Sequence, residues 1–224
     1  MSRHSLIILA FAASSTSAFA AVSTTSTDFG FAAPAGTSLL IDFDDPLPAG
    51  LTLTGGLVRN TDDGLGAEPA IAAGVKETSY YLAADPGDPA TLTSTTGFDE
   101  VSLYWGSIDT YNTLTLLDQA GDAIQSFTGL RIFAPANGDQ FSASTNRRVT
   151  FTISGATSPI YGLKFQSSEP AFEVDNIAFL SPAPVPEPAS WAMMIVGLGL
   201  LGATLRRRSR RQVSSFQIGH FTAG

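Results

Sequence analysis

The sequence predicts an all-β fold, and specifically a two-sheet sandwich of jelly-roll kind over residues 38–180. Short apolar and β-branched runs recur there, separated by Gly, Pro, Asn and Asp, the residues that form turns. In two of these runs, Val101–Trp105 and Thr113–Leu117, apolar residues alternate with polar ones, which is the period of a half-buried strand. No stretch of about a dozen residues before Ser190 shows the apolar stripe of a helix.

The individual strands follow from these runs and from the turns between them. Ten strands are predicted: Ser38–Asp42, Leu51–Gly55, Ser79–Leu82, Ala90–Thr95, Glu100–Trp105, Thr113–Asp118, Ala123–Thr128, Val149–Ser154, Gly162–Ser167 and Phe172–Phe179. Residues 119–122 are typical of a hairpin loop. Before these strands, residues 21–37 are rich in Ser, Thr, Ala and Gly and predict a flexible, solvated leader, with a first edge strand at Asp28–Ala32.

Residues 1–20 have the layout of a secretory signal peptide. Arg3 and His4 precede an apolar run, and Ala18-Phe19-Ala20 forms a small-residue cleavage site. The apolar run is shorter than the roughly 20 residues of a membrane span. We therefore expect export and cleavage before Ala21 rather than a retained membrane helix.

Charge is divided unevenly along the chain, whose formal net charge is -8. Between Ala21 and Pro188 six basic residues accompany all twenty acidic residues, so this region repels phosphate backbones and is not expected to bind nucleic acid. Cysteine is absent, and the two histidines, His4 and His220, lie outside this region. Thiol nucleophiles, Cys or His zinc sites and a Ser-His-Asp triad are therefore excluded there.

The C-terminal tail combines a spacer, a short apolar segment and a basic cluster. Residues 181–190 contain four prolines and favour extended geometry. Residues 191–205 are predominantly apolar and would form a helix about 22 Å long, which suits one transmembrane helix if Trp191 and the following arginines reach the two interfaces. The positive-inside rule places residues 206–224 in the cytoplasm and the acidic domain outside the inner membrane.

The tail PEPASWAMMIVGLGLLGATLRRRSRR resembles the PEP-CTERM sorting signal, a Pro-Glu-Pro motif followed by a short transmembrane helix and a basic cluster. The resemblance covers about Val185–Arg211 and implies recognition by an exosortase, a membrane cysteine peptidase or transpeptidase of Gram-negative bacteria that make exopolysaccharide. It implies cleavage near the motif and transfer to the cell surface or the medium. The sorting residues that it implies are Pro186, Glu187, Pro188, Trp191, Arg206, Arg207 and Arg208.

Two features leave other interpretations of the tail open. The same residues could form a simple C-terminal anchor on a Pro-rich stalk. In addition, Gln212–Gly224 continues past the basic cluster, where such tails are expected to end, and this extension could either have no effect or hinder processing.

Acidic residues near the first and last of the ten predicted strands suggest a metal site. Asp42, Asp44 and Asp45 follow the first strand, and Asp175 lies on the last. These strands look like the first and last strands of galactose-binding-like jelly-roll modules, and the resemblance implies that they are neighbours and that Asp42, Asp44 and Asp175 hold a structural calcium. The alternative is that these residues are ordinary turn and surface carboxylates.

The segment from Leu103 to Asn112 concentrates aromatic and polar side chains in one strand and the following loop. Tyr104, Trp105 and Tyr111 could stack on sugar rings, although a strand Trp is more often part of the core. Tyr111, Asn112 and Asp109 are the preferred ligand-binding candidates, because they fall in or beside a predicted loop.

Three functions are compatible with these observations. The first is a non-enzymatic surface or matrix protein that is sorted by an exosortase and binds exopolysaccharide. The second is a secreted glycan-active hydrolase that uses an Asp/Glu pair, and the third is a purely structural, adhesive module. We expect no enzymatic activity, because the sequence has neither a phosphate-binding loop nor a G-x-S-x-G nucleophile motif.

Overall fold

The computed structural model describes residues 21–154, 158–180 and 193–201 of the chain. The chain divides into two compact units, Met1–Pro182 and Ala183–Gly224. The signal peptide, the Pro-rich spacer and the basic cluster predicted from the sequence lie outside the described residues.

The described part of the first unit consists of fourteen strands and one short helix. The strands are β1 (Ala21–Asp28), β2 (Leu39–Ile41), β3 (Leu51–Thr54), β4 (Leu57–Arg59), β5 (Ala70–Ala72), β6 (Val75–Lys76), β7 (Tyr81–Ala84), β8 (Ala90–Phe98), β9 (Glu100–Gly106), β10 (Asn112–Leu117), β11 (Ala123–Thr128), β12 (Arg147–Ser154), β13 (Ile160–Ser167) and β14 (Phe172–Leu180). The helix α1 (Gly129–Ile132) follows β11.

These strands form two large sheets and one small one. The seven-stranded sheet has the order β1-β12-β9-β14-β7-β4, with β2 also paired to β14, and the five-stranded sheet has the order β11-β10-β13-β8-β3. A separate two-stranded sheet joins β5 to β6. From β7 to β14, successive strands alternate between the large sheets except at the β10-β11 hairpin.

The two large sheets pack face to face over one apolar core. Inward side chains such as Leu92 and Leu114 from the smaller sheet meet Val101 and Leu103 from the larger one, and all four are fully buried. Three aromatic pairs cross between the sheets: Phe98 with Phe179, Phe127 with Phe151, and Phe165 with Phe172. The prediction of an all-β fold built from more than one sheet is therefore confirmed.

The ten predicted strands are all present, and each of their limits lies within three residues of the predicted one. The sequence analysis missed β4, β5 and β6, because two or three residues are too few to show a period of two. These short strands are stabilised by pairing with neighbours that are distant in sequence or by a tight turn, for example β4 with β7.

The expectation of a flexible leader over residues 21–37 is wrong for its first part. Residues Ala21–Asp28 form β1, which pairs antiparallel with β12 along its whole length, from Ala21 opposite Ser154 to Asp28 opposite Arg147. The edge strand thus lies earlier than the predicted Asp28–Ala32. Threonine and valine favour strands, and the pairing with β12 overrides a Ser/Thr-rich composition that is otherwise typical of solvated segments.

The described part of the second unit is a helix over residues 193–201, which falls inside the apolar segment 191–205. Among the residues that the structure describes, none belongs to a helix with both the length and the apolar character needed to cross a membrane.

Candidate functional site

The loop between β9 and β10 carries the predicted ligand-binding residues. It is held at several points by main-chain hydrogen bonds, since the Ile108 N–H donates to the Thr145 carbonyl at 2.7 Å and the Gly138 N–H donates to the Ile108 carbonyl at 3.0 Å. Ser107 at the start of the loop has a positive φ of 46°. The loop is therefore fixed against the segments around residues 137 and 145 and is not a free surface loop.

Asp109 is buried in this loop, with 3% of its surface exposed. Burial raises the pKa of the Asp109 carboxyl to about 7, although hydrogen bonds from the Tyr111 side chain and from the N–H groups of Tyr111 and Asn112 oppose the rise. Burial and the hydrogen bond to Asp109 in turn raise the pKa of Tyr111. The Asp109 carboxyl group therefore restrains the Tyr111 side chain.

Asn112, the first residue of β10, is fully buried. Its Nδ2 donates to the Ala171 carbonyl at 3.1 Å, which ties the start of β10 to the start of β14. The structure therefore keeps Asn112 and Asp109 inside the protein, where they can support a ligand site but not touch a ligand at the surface. Tyr111 is half-buried and is the one residue of the three that reaches the surface.

A cleft of about 400 Å³, here called the polar cleft, lies beside Tyr111. It is lined by uncharged polar side chains: Thr110, Tyr111, Thr113, Gln166, Ser167 and Ser168. Antiparallel pairing of β10 with β13 places Thr113 opposite Gln166, and the Ser168 N–H donates to the Tyr111 carbonyl at 3.4 Å. Hydroxyl, amide and phenol groups around an open concavity are able to recognise a neutral, hydroxyl-rich ligand.

Trp105 and Tyr104 on β9 belong to the interior. Trp105 is fully buried and stacks on Phe172, which confirms the expectation that it is a core residue. Tyr104 is equally buried, and its hydroxyl donates to the Ala70 carbonyl. Neither side chain is available to a sugar at the surface.

Glu173 is a buried carboxylate that the sequence analysis did not select. It lies on β14 opposite Gly106, with 3% of its surface exposed, and its Oε1 accepts a hydrogen bond from the Ala67 N–H at 3.1 Å. Burial raises the pKa of Glu173 well above its usual value; the Ala67 N–H opposes this, and the charge of Asp109 adds to it. The signal available in the sequence was a glutamate inside an apolar strand.

The carboxylates predicted as calcium ligands lie around the pairing of β2 with β14, where Ile41 is opposite Ile177. Asp44 is exposed and accepts a hydrogen bond from the Tyr80 N–H at 3.0 Å. Asp175 is fully buried and accepts hydrogen bonds from Ser79 and from the Asn176 N–H, while burial raises its pKa to about 8.

The structure does not gather these carboxylates into one cluster. In the ranges 21–154, 158–180 and 193–201, no group of three or more His, Cys, Asp or Glu side chains is arranged to hold a metal ion. Asp42 instead lines a second cleft, of about 220 Å³, with Asp45 and two prolines. Calcium binding by Asp42, Asp44 and Asp175 stays a prediction.

The predicted sorting residues Pro186, Glu187, Pro188, Trp191, Arg206, Arg207 and Arg208 lie outside the described residues. Residues 184–211 match the family model of the PEP-CTERM protein-sorting motif. The match covers the Pro-Glu-Pro motif, the apolar segment and the arginines together, and it does not extend into the β-domain.

No curated protein matches this chain. Among solved structures it is similar to the enzymatically active domain of tailspike protein 4 of bacteriophage CBA120, with 15% identity and a TM-score of 0.28. The similarity covers 66% of this chain and 21% of the tailspike chain, so the chain spans about a fifth of that protein's length.

Proposed function

We propose that this chain, which carries a PEP-CTERM protein-sorting motif, is an exosortase substrate that is exported and displayed at the surface of a Gram-negative cell, where its β-domain binds exopolysaccharide. The sorting motif carries the first half of the proposal, since it directs a protein to the cell surface. The polar cleft carries the second half.

In this proposal residues 191–205 hold the exported chain in the inner membrane until an exosortase cleaves near Pro186–Pro188. The helix over residues 193–201 supports this role, because its large apolar side chains, including Met193, Ile195 and Leu198, are each more than half exposed. Such side chains are free to contact lipid. The arginines that follow provide the cytoplasmic charge that orients a single span.

Expression with and without an exosortase tests the sorting step. Mass spectrometry of the exported protein is expected to show loss of the residues after the Pro-Glu-Pro motif only when the exosortase is present, and Glu187→Ala is expected to reduce this processing. Glu169→Ala, which removes an exposed acid outside the motif, serves as the matched control. An intact C-terminus in both strains, or normal processing of Glu187→Ala, would contradict the proposal.

The composition of the polar cleft supports a neutral polysaccharide as its ligand. Its lining offers hydroxyl and amide groups for hydrogen bonds and one aromatic ring, and it contains no charged side chain. The hydrogen bond between Asp109 and Tyr111 fixes the tyrosine before a ligand arrives, which lowers the entropy lost on binding.

A glycan array probed with the purified protein tests this binding. Tyr111→Ala and Gln166→Ala are each expected to weaken binding to any polysaccharide that the protein recognises, by about tenfold, the effect of losing about 1.4 kcal/mol. Tyr80→Ala is the matched control, since Tyr80 is exposed and does not line the cleft. Unchanged binding in both cleft variants would contradict the role of the polar cleft, and the absence of binding to every glycan would favour the structural, adhesive module instead.

The burial of Asp109 and Glu173 favours binding over hydrolysis at this cleft. Glycosidases need two carboxyl groups that flank the scissile bond, whereas each of these two is 3% exposed and lies beneath the surface. Turnover of a polysaccharide that is lost on substitution of one acidic pair would establish the hydrolase alternative.

A further inference from the structure

Several buried oxygen atoms without hydrogen-bond partners occur at the end of the sandwich where β9 leads into β10. They are Ser107 Oγ, Asp109 Oδ1, Asn112 Oδ1 and Glu173 Oε2. All four side chains are at least nine-tenths buried. They account for half of the eight buried side-chain atoms that lack a partner among the described residues, so the deficit is concentrated in one place.

Hydrogen bonds through main-chain groups connect the segments that carry three of these side chains, Asp109, Asn112 and Glu173. The Asp109 carboxylate accepts the Asn112 N–H, and the Asn112 side chain donates to the Ala171 carbonyl, two residues before Glu173. Asp109 and Glu173 are also close enough to repel one another electrostatically. The Asn112 amide is oriented by its Nδ2 bond to Ala171, so its Oδ1 is the atom left without a donor.

Neither carboxylate forms a salt bridge among the described residues, although the charge of Lys76 lowers the pKa of Glu173. The salt bridges within the described residues join Arg59 to Asp63, Lys76 to Asp62 and Arg147 to Asp28, and none of them includes Asp109 or Glu173. Two buried carboxylates without an ion pair carry a large desolvation cost. A buried oxygen atom that accepts no hydrogen bond needs an explanation, and contact with a bound cation supplies one.

We propose that Asp109 Oδ1, Asn112 Oδ1 and Glu173 Oε2 bind a calcium ion beneath the polar cleft. The donor set consists of oxygen atoms alone, which selects a hard cation over zinc or copper. Calcium accepts six to eight oxygen ligands in flexible geometry, so main-chain carbonyls and water complete the shell. This site is separate from the one predicted at Asp42, Asp44 and Asp175, and it does not depend on the proposed glycan binding.

A calcium ion at this site would also affect the polar cleft, through Asp109 and Tyr111. The Asp109 carboxyl group accepts hydrogen bonds from the Tyr111 hydroxyl and from the Tyr111 N–H. A cation on the free oxygen of Asp109 fixes that carboxyl group and, through it, the position of Tyr111. Calcium would then fix the position of one residue that lines the polar cleft, and it would not contact the ligand itself.

Thermal unfolding of the full chain tests the site. The purified protein is first treated with EGTA and then titrated with CaCl2 or MgCl2. At a calcium concentration about 100 times Kd the Tm is expected to rise by about 5–10 °C, with a smaller rise for magnesium because its octahedral shell resists this irregular site. Asp109→Asn and Glu173→Gln keep the shape of each side chain and are each expected to abolish the rise.

Two further measurements keep the proposal falsifiable if a variant folds poorly. Asp42→Asn and Asp44→Asn are expected to retain the calcium-dependent rise in Tm, and terbium emission excited through tyrosine is expected to fall in Tyr111→Phe. The proposal is overturned if calcium leaves the Tm of the wild-type chain unchanged, if both Asp109→Asn and Glu173→Gln respond normally, or if Asp42→Asn alone abolishes the response. If the wild-type chain binds no glycan but its Tm still rises with calcium, only the proposed function is rejected.

Discussion

Trp105 on β9 stacks on Phe172 of the neighbouring strand β14, with ring centroids 4.2 Å apart and an angle of 17° between the ring planes. Both side chains are fully buried. Phe172 also meets Phe165 of the opposite sheet edge to face, at 5.2 Å. The two residues therefore join neighbouring strands in one sheet and connect that sheet to the other across the core.

Removing the Trp105 ring is expected to destabilise the domain strongly. Trp105→Ala loses the stack and leaves a large cavity, for a cost of about 3–5 kcal/mol. Trp105→Phe is expected to cost less, since it keeps an aromatic ring and removes an indole N–H that has no partner in the described part of the chain. Urea unfolding followed by circular dichroism measures both, with Leu57→Ala as the control because Leu57 is about half exposed. Equal costs for the Trp105→Ala and Leu57→Ala variants would contradict the packing described here.

Arg148 is expected to be irreplaceable by lysine. Its buried guanidinium donates to three main-chain carbonyls, those of Gly30, Phe31 and Asn176, and so joins the segment after β1 to the bulge in β14. A lysine ammonium cannot reach all three, so Arg148→Lys is expected to lose about 3 kcal/mol of unfolding free energy. Arg131→Lys, at an exposed position, provides the same chemical change as a control. A loss below about 1 kcal/mol for Arg148→Lys would show that the carbonyls find other donors.

Gly129, the first residue of α1, is expected to tolerate no side chain. A Cβ atom at this position would lie 2.0 Å from the carbonyl oxygen of Asp109, so the main chain of the site must shift. Gly129→Ala is expected to cost about 1–3 kcal/mol and to weaken whatever ligand binding Tyr111 supports. Gly64→Ala is the control, because nothing lies within 4 Å of a Cβ atom there. Chemical denaturation and glycan binding, measured together, separate a general loss of stability from a displaced site.

The raised pKa of Asp175 predicts that the domain becomes less stable as the pH rises. Its pKa is raised to about 8 by burial, against hydrogen bonds from the Asn176 N–H and Ser79 and with a further rise from the charges of Glu77 and Asp44. An unfolded aspartate has a pKa of about 3.9, so between this value and about 8 the folded state binds the proton and the unfolded state does not. The stability from this group is therefore complete below about pH 4 and is lost as the pH approaches 8.

The Asp175→Asn variant isolates this contribution. Measured in EGTA, the Tm of the wild type is expected to fall between pH 5 and pH 9, and the variant is expected to show a shallower fall. Burial lowers the pKa of Arg148 to about 10, and the charge of Asp175 opposes this lowering. Arg148 therefore stays protonated over this range. Identical pH profiles for the two proteins would exclude Asp175 as a source of the effect. Asp109 and Glu173 contribute in the same direction and account for the remaining slope.

Local sequence predicted the strands well where a run was long enough to show its period. The alternation at Val101, Leu103 and Trp105 identified β9, and the turn residues after Leu117 identified the β10-β11 hairpin. It failed for β1, whose Ser/Thr-rich composition is typical of a solvated leader. Pairing with β12 decides that segment, and the partner residues lie more than a hundred positions away in the chain.

The candidate site could be predicted only in part. Tyr111 was correctly expected at a loop, and it lines the polar cleft. Asp109 in the same loop and Asn112 at the start of β10 have polar side chains, yet the loop packs against residues 137 and 145, and both side chains are buried. Nothing local distinguishes a loop that packs inward from one that faces water, because the packing partners come from distant parts of the chain.

The sequence by itself determined the all-β class, the positions of ten strands and the sorting motif at residues 184–211, because strand periodicity, turn residues and the order of a Pro-Glu-Pro motif, an apolar segment and arginines are all local patterns. The tertiary structure alone decided which strands are neighbours in the two large sheets, the incorporation of β1 and the burial of Asp109 with Glu173. These features depend on long-range pairing, which brings β9 and β14 together and buries two carboxylates from distant segments at one end of the sandwich.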